Sequence, residues 1–195
     1  MPEAFDALMA RIRACRLCEA QLPLGPRPVL QASPASRLLI VSQAPGRKVH
    51  EAGIPFNDVS GDRLRDWLGI DKPAFYDAGN IAIVPMGFCF PGTGKGGDLP
   101  PRPECAPTWH RALMPRLQQV RLTLAIGQYA QAGLLAGRRG RTLTDTVLAW
   151  REHLDRGVLP LPHPSPRNRL WLARNPWFEV ELLPELKRRV AEALA

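Results

Sequence analysis

The segment LPHPSPRN, residues 161–168, contains the side chains best suited to chemistry in this sequence. His163 stands between two prolines, and Arg167 and Asn168 follow it closely. An imidazole can donate or accept a proton near neutral pH. Proline fixes the backbone φ angle, so the loop loses conformational freedom before any ligand arrives. The pattern therefore predicts a rigid loop that holds an imidazole in a set direction.

Four cysteines form a second candidate site. Cys15 and Cys18 make a C-x-x-C pair, while Cys89 and Cys105 lie far along the chain from it and from each other. In a reducing compartment such cysteines are more often metal ligands than disulfide partners. Structural zinc sites usually use two tight pairs, whereas a four-cysteine iron–sulfur cluster tolerates wider spacing. The spacing favours a structural [4Fe–4S] cluster, and zinc stays the alternative.

These residues need a framework that brings distant segments together. Apolar runs predict strands within 37–46, 80–90 and 157–164, and a strand, a glycine turn and a helix within 121–137. Further helices are predicted over 3–14, over 60–70 with Ser60 as its N-cap, over 107–118 opened by Pro107, and over 178–194. Because strands and helices alternate, we expect parallel pairing through right-handed crossovers.

The expected fold is a three-layer α/β/α sandwich with a central four-stranded parallel sheet, in one domain spanning residues 1–195. In such sheets the site lies beyond the carboxyl ends of the strands. The segments that leave those ends are SQAPG, MGFCFPG, GQYAQ and PHPSPRN. Both unusual motifs, the histidine loop and the third cysteine, therefore belong to the same edge of the sheet.

Composition narrows the class of protein and of partner. The formal net charge is +8, and the arginines that produce it are spread along the chain, which is compatible with a polyanionic partner. No apolar run is long enough to span a bilayer, and the N-terminal segment is amphipathic and lacks the apolar block of a signal peptide. We therefore expect a soluble, cytoplasmic protein that does not bind membranes.

Five motifs in register resemble the uracil-DNA glycosylase superfamily, and most of all its iron–sulfur members. They run from about residue 12 to 175: CRLC, IVSQAPG, GIPFNDVSG, the pair Cys89 and Cys105, and HPSPRN. The resemblance implies a monomeric repair enzyme that flips uracil out of single- or double-stranded DNA. Such an enzyme hydrolyses the N-glycosidic bond and leaves an abasic site.

Three positions depart from the patterns of individual branches. Ala44 stands where the best-known uracil-specific branch has an aspartate before the proline, and Gln43 stands where family four has an acidic residue. Pro85 occupies the place of the asparagine with which family four reads the amide edge of uracil. These departures leave open what recognises the base.

The segment PFNDVSGDRL resembles the P-F-T-G-D-x-S-G segment of family five, or type b, whose aspartate orients the attacking water. Aligned on the shared Ser-Gly, that aspartate is Asp58, although the match is one residue short after Phe56. Family five also lacks the edge-reading asparagine and ends its histidine loop in an asparagine, here Asn168. The length difference is consistent with a separate, related branch.

The resemblance implies roles for individual residues. His163 would donate to the carbonyl oxygen of the departing uracil, and Asp58 would orient water, with Asn57 as the fallback. The implied base-binding residues are Gln43, Ala44, Pro45, Gly46, Phe56 and Asn168. The implied DNA contacts are Ser165, Arg167 and Arg169, and Arg167 occupies the place from which superfamily members fill the emptied stack. Cys15, Cys18, Cys89 and Cys105 would hold the cluster.

Each role competes with a simpler structural explanation. Asp58 precedes a helix and could be only its cap, and Phe56 could be core packing. Trp171 and Trp177 are expected to be mainly core, and His50 to be a surface residue. For the whole chain, the alternatives to an enzyme are a module that binds DNA without cutting it and an accessory protein that uses the fold as a scaffold.

Overall fold

A four-stranded parallel sheet lies at the centre of the protein, in a computed structural model that describes residues 3–195. Residues 1 and 2 of the expected domain lie outside the described residues. The strands in chain order are β1 (Leu38–Val41), β2 (Ile81–Ile83), β3 (Thr93–Gly94), β4 (Gly97–Asp98), β5 (Leu122–Ile126) and β6 (Val158–Leu161). The sheet order is β2–β1–β5–β6, and β3 and β4 form a separate antiparallel hairpin.

The strands form here because they are short apolar runs that are buried on both faces. Leu38 and Ile40 of β1 point into one hydrophobic cluster, whereas Leu39 and Val41 point into the other. A parallel sheet needs this double burial, since helices cover both of its faces. The expected three-layer α/β/α fold is thus confirmed.

Helices supply the two outer layers. They are α1 (Phe5–Arg13), α2 (Arg47–Ala52), α3 (Val59–Leu68), α4 (Lys72–Tyr76), α5 (Cys105–Leu113), α6 (Gly127–Leu135), α7 (Leu143–Leu148), α8 (Trp150–Leu154), α9 (Arg169–Arg174) and α10 (Leu183–Leu194). Helices α3, α7, α8 and α10 pack on one face of the sheet, and α1, α5 and α6 pack on the other. Within residues 3–195, every helix is too short or too polar to cross a lipid bilayer.

Several predicted boundaries are wrong in detail. Asp58, not Ser60, caps α3, because its backbone is extended and its side chain accepts a hydrogen bond from the Gly61 N–H. Helix α5 begins at Cys105, ahead of Pro107, and the predicted helix from 178 begins with a π-helical turn over Phe178–Leu182. His50 belongs to α2, is only 5% exposed and lies beside Phe90, so the surface prediction for it is also wrong.

Candidate active site

A cleft of about 570 Å³ opens at the carboxyl ends of the sheet strands. Sheet order reverses between β1 and β5, the place where ligands bind in open α/β sheets. The walls of the cleft come from the segments after β1, β2, β5 and β6, from the segment before α3, and from the β3–β4 hairpin. Of the predicted site residues, those that line it are Gln43, Ala44, Pro45, Gly46, Phe56, Asp58, His163, Ser165, Arg167 and Asn168.

The imidazole of His163 is held by its own loop. Its Nδ1 accepts a hydrogen bond from the Ser165 backbone N–H at 3.2 Å, which assigns the proton of the neutral ring to Nε2. Asn168 Nδ2 donates to the His163 carbonyl oxygen at 2.7 Å, and Arg63 of α3 donates to the Ser165 carbonyl oxygen at 3.2 Å. The ring can therefore present a fixed N–H donor.

Burial lowers the pKa of His163, and the nearby charges of Asp58 and Asp98 oppose that shift only in part. The neutral imidazole is thereby favoured near pH 7. A neutral donor suits a base that leaves as an anion, because the N–H is already directed and no proton has to be taken up first.

Asp58 combines a structural and a chemical position. Its Oδ1 accepts from the Gly61 N–H at 2.9 Å and so caps α3. Its Oδ2 has no hydrogen-bond partner among residues 3–195, and the side chain lines the cleft close enough to His163 to raise the histidine's pKa. Both interpretations of Asp58 can thus hold at once, with one oxygen for the helix and the other for the cleft.

Two predicted residues lie outside the cleft wall. Asn57 is half-buried beside Asp58 but does not line the cleft. Arg169 is exposed at the start of α9, beyond the rim. Their predicted roles, water activation for Asn57 and phosphate contact for Arg169, stay predictions.

Phe56 adopts an unusual backbone conformation beside the histidine. Its φ is +53°, a left-handed value that is rare for a bulky side chain and that needs support from its surroundings. That support comes from α3: a Cβ on Gly61 would lie 1.7 Å from the Phe56 carbonyl oxygen. The Phe56 ring is 6.5 Å from the His163 ring at an interplanar angle of 29°. The strained turn thus sets an aromatic face alongside the imidazole.

The loop after β1 forms the opposite wall. Gln43 Nε2 donates to the Leu99 carbonyl oxygen at 3.1 Å, which fixes the amide and leaves its Oε1 as a possible acceptor. Pro85 lines the cleft as the resemblance placed it, and its carbonyl oxygen accepts from His110 Nε2 at 2.8 Å. The side chain that reads an amide edge in family four is replaced here by an apolar ring.

The rim of the cleft is basic on one side. Arg167 is exposed, and its Nη1 lies 3.5 Å from the Gly96 carbonyl oxygen, so the side chain bridges from the histidine loop to the β3–β4 hairpin. Ser165 Oγ accepts from the Arg167 backbone N–H at 3.3 Å. A guanidinium and a hydroxyl at the mouth are suited to phosphate oxygens.

The sequence model of the Uracil DNA glycosylase superfamily matches residues 30–187, most of the chain. The chain belongs to this superfamily. Membership supports a glycosylase that acts on DNA, and the four-stranded parallel sheet agrees with the fold of this superfamily. The matched segment contains every residue that lines the cleft except Val29, and it begins after Cys15 and Cys18, so it does not reach the C-x-x-C pair.

Several residues that line the cleft of this superfamily member were not predicted, among them Gln128, Tyr129 and Asp98. Gln128 and Tyr129 lie in the first turn of α6, directly after β5, so a search of all four strand-end segments for polar side chains would have found them. Asp98 gives no such signal, because it lies in a glycine-rich stretch that reads as a connector. It reaches the cleft only through the β3–β4 hairpin.

The four cysteines line one small cavity on the α1–α5 side. Trp109 Nε1 donates to Cys15 Sγ at 3.3 Å, and the Phe88 backbone N–H donates to Cys105 Sγ at 3.3 Å. Burial raises the pKa of Cys89 to about 11 and that of Cys105 to about 12. The raised pKa values favour protonated thiols in the protein without a bound group, and the N–H donors are of the kind that would hydrogen-bond to sulfur ligands once a metal group displaced those protons.

The cysteine cavity is the part of the structure to which the predicted metal site belongs. Among residues 3–195, no three or more His, Cys, Asp or Glu side chains are close enough together to hold a single metal ion. Four thiols that line one cavity fit the donor set of a metal group, and the identity of that group, a [4Fe–4S] cluster or zinc, stays a prediction.

Proposed function

We propose that this protein excises uracil from DNA and leaves an abasic site. The observation that carries the proposal is the convergence of a neutral, pre-aligned His163 and the carboxylate of Asp58 on one cleft of a member of the superfamily. A nucleobase must leave the duplex stack to reach such a cleft.

His163 acts on the departing base. As the C1′–N bond breaks, its electron pair moves to the base, and negative charge grows on the carbonyl oxygens of uracil. The Nε2–H of His163 donates to one of those oxygens and lowers the energy of the developing anion. Because burial keeps the ring neutral, this donor is available at physiological pH.

Asp58 and Phe56 act on the sugar and on the base plane. The free Oδ2 of Asp58 orients water and offsets positive charge on the sugar, and Asn57 is the fallback for the water. The Phe56 ring stacks on the extruded base, an interaction worth ~1–3 kcal/mol. Gln43, the backbone of Ala44, Pro45 and Gly46, and Asn168 line the remaining walls.

The rim holds the DNA while the base is in the cleft. Ser165, Arg167 and Arg169 contact phosphates, on single- or double-stranded DNA, and we expect the protein to work as a monomer. Arg167 also lies where a side chain can enter the emptied stack. The contact of Arg167 with Gly96 must break for that insertion.

The cysteines would hold a structural [4Fe–4S] cluster, with zinc as the alternative. Cys15 and Cys18 follow α1, Cys89 follows β2, and Cys105 begins α5. A cluster bound there would tie these elements together and take no part in bond cleavage.

An excision assay tests the proposal. Purified protein is incubated with oligonucleotides that contain one uracil, hypoxanthine or xanthine, in single and double strands, and the products are heated in alkali. We expect strand breakage at uracil and none in an oligonucleotide without a lesion. The Asp58→Ala, His163→Ala double variant should lose at least ~10²-fold in single-turnover rate.

The assay also addresses the main alternative, a module that binds DNA without cutting it. Ala44 and Pro85 give the cleft apolar side chains at two places where other branches carry polar groups. Tight binding of the uracil oligonucleotide without breakage of any substrate would favour that module over the enzyme.

A further inference from the structure

Asp98 is a second carboxylate in the cleft. It ends β4, and the hairpin directs it toward the loop after β1. Its Oδ2 lies 3.3 Å from the position that a Cβ atom on Gly46 would occupy, so the carboxylate comes close to the backbone of this loop. The charge of Asp98 also reaches His163, where it raises the pKa as the charge of Asp58 does.

An anion at this place opposes the binding of DNA. The substrate is a polyanion, the protein carries a formal net charge of +8, and the neighbouring rim residue Arg167 is cationic. A carboxylate with no other role on the rim would weaken phosphate binding and add nothing to the rate of the reaction. A carboxylate beside a sugar that gains positive charge in the transition state would stabilise that transition state.

The two carboxylates differ in how firmly hydrogen bonds hold their oxygens. Asp58 uses Oδ1 to cap α3, whereas the one hydrogen bond of the Asp98 side chain within residues 3–195 is a long one, 3.5 Å from Thr93 Oγ1 to Oδ1. Asp98 is exposed in the free protein and would be covered once a nucleotide enters the cleft. Covering it lowers the local dielectric and strengthens its interaction with a cation.

We propose that Asp98 is a second catalytic carboxylate, which stabilises the cationic sugar together with Asp58. The inference rests on the proposed function and names a residue that the superfamily resemblance does not assign. In the balanced reaction the C1′–N bond breaks with its electron pair on the base, and the oxygen of one water bonds to C1′. A carboxylate or solvent takes the released water proton, and the base anion takes a proton from solvent.

The test compares Asp98→Asn with wild type in two measurements. One is the single-turnover rate on a uracil oligonucleotide, and the other is the Kd for an oligonucleotide of the same length without a lesion. We expect the rate to fall ~10²-fold, as for a positioned catalytic group. We expect the Kd to stay equal or to fall, because an anion next to phosphates has been removed. A residue with a merely structural role would weaken both.

Two further variants complete the design. Asp98→Glu keeps the charge on a longer arm and should restore part of the rate that Asp98→Asn loses. Asp66→Asn removes an exposed carboxylate from α3 outside the cleft, and should leave the single-turnover rate unchanged. Circular dichroism confirms that the variants remain folded.

The outcomes separate the two claims. If wild-type protein excises uracil and Asp98→Asn does so at the same rate, the role of Asp98 is overturned and the proposed function stands. A rate loss accompanied by an equal weakening of DNA binding also overturns it. If wild-type protein breaks no substrate, the proposed function fails, and the catalytic role of Asp98 fails with it.

Discussion

At the scale of the residue, Asp58 shows how one side chain can serve both fold and chemistry. Its Oδ1 satisfies a backbone N–H in the first turn of α3, while Oδ2 is left to the cleft. Helix capping accounts for the residue type but not for its place on the cleft wall. The two roles respond differently to substitution, so they can be separated.

Asp58→Asn and Asp58→Ala should divide these roles. Asparagine is as good an N-cap as aspartate, so Asp58→Asn should change the free energy of unfolding by less than ~1 kcal/mol, while alanine should cost ~0.5–2 kcal/mol. Both variants lack the negative charge and should lose ~10²-fold in single-turnover rate. Urea unfolding and the excision assay measure the two quantities. A fully active Asp58→Asn variant would show that Asp58 only caps α3 and takes no part in excision.

At the scale of the element, the segment before α3 depends on a close approach between two backbones. Gly61 lies in the first turn of α3, against the carbonyl oxygen of Phe56, which is held at a φ of +53°. The Tyr76 hydroxyl donates to the same oxygen at 3.3 Å. Glycine at 61 therefore sets both the capping geometry and the position of the Phe56 ring.

Gly61→Ala should destabilise the protein although alanine favours helices. Within a helix this change would ordinarily gain up to ~1 kcal/mol. Here the new Cβ would stand 1.7 Å from a backbone oxygen, and we expect a net loss of ~1–3 kcal/mol together with slower excision. Gly137→Ala is the matched control, because a Cβ there meets nothing within 4 Å. Equal thermal stability of the two variants would contradict this account.

The cysteine cavity lies between the end of α1 and the start of α5, so a group bound there would connect these two elements. Any Cys→Ser change, for example Cys89→Ser, should abolish visible absorbance and bound iron and lower the Tm. Trp109→Phe is the control: it removes the indole donor to Cys15 Sγ but no ligand, and should retain iron. Iron and acid-labile sulfide analysis of protein purified without oxygen gives the readout. Stoichiometric zinc without iron would show that the cysteines hold zinc and not a cluster.

The sheet strands and the longer helices could be predicted from the sequence because their patterns are local. β1 and β6 are short apolar runs bounded by turn residues, and the face of α3 with Leu64, Trp67 and Leu68 is buried as its spacing indicates. The short helices α2, α4, α7 and α8 were missed, since pieces of five or six residues carry too little periodicity. Their helical state is decided by packing rather than by propensity.

The candidate site likewise contains residues that could be predicted from the sequence and one that could not. His163 and Asp58 are found because motifs surround them, and the parallel sheet topology brings their segments to one edge of the sheet. Asp98 enters the cleft through a hairpin whose strands have two residues each, a feature without a local signature. The Nδ1 bond from Ser165 depends on loop geometry, so the tautomer of His163 could not be read from residue types.

At the scale of the whole molecule, burial lowers the pKa of every histidine. The chain has four, and the pKa of each is lowered, with burial as the largest cause: His50, His110, His153 and His163. Two of them, His50 and His153, also carry a buried ring nitrogen without a hydrogen-bond partner among residues 3–195. The fold therefore accommodates neutral imidazoles, and protonation must work against it.

The sign of the pH dependence follows from these shifts. In the unfolded chain a histidine titrates near ~6.5, and in the folded protein it titrates lower, so the unfolded state binds more protons between the two values. The histidine contribution to stability is complete above ~6.5 and is lost as the pH falls through the folded pKa values. Glu185, whose pKa is lowered to about 2 by Arg188, adds a loss only below the ordinary carboxylate range.

We therefore expect the free energy of unfolding to fall between pH ~7.5 and ~5.5, before carboxylates titrate. Urea unfolding at several pH values in that window, on samples of equal iron content, measures the slope. His153→Gln is the informative variant, because this histidine lies outside the cleft and its removal should flatten the slope without touching excision. A level free energy would contradict the lowered pKa values, because the folded and unfolded states would then bind equal numbers of protons in this window. A free energy that rises as the pH falls would mean that the folded protein binds more protons, so that the pKa of its imidazoles is raised. If the raised group is His163, the neutral-donor step would have to be replaced by proton transfer.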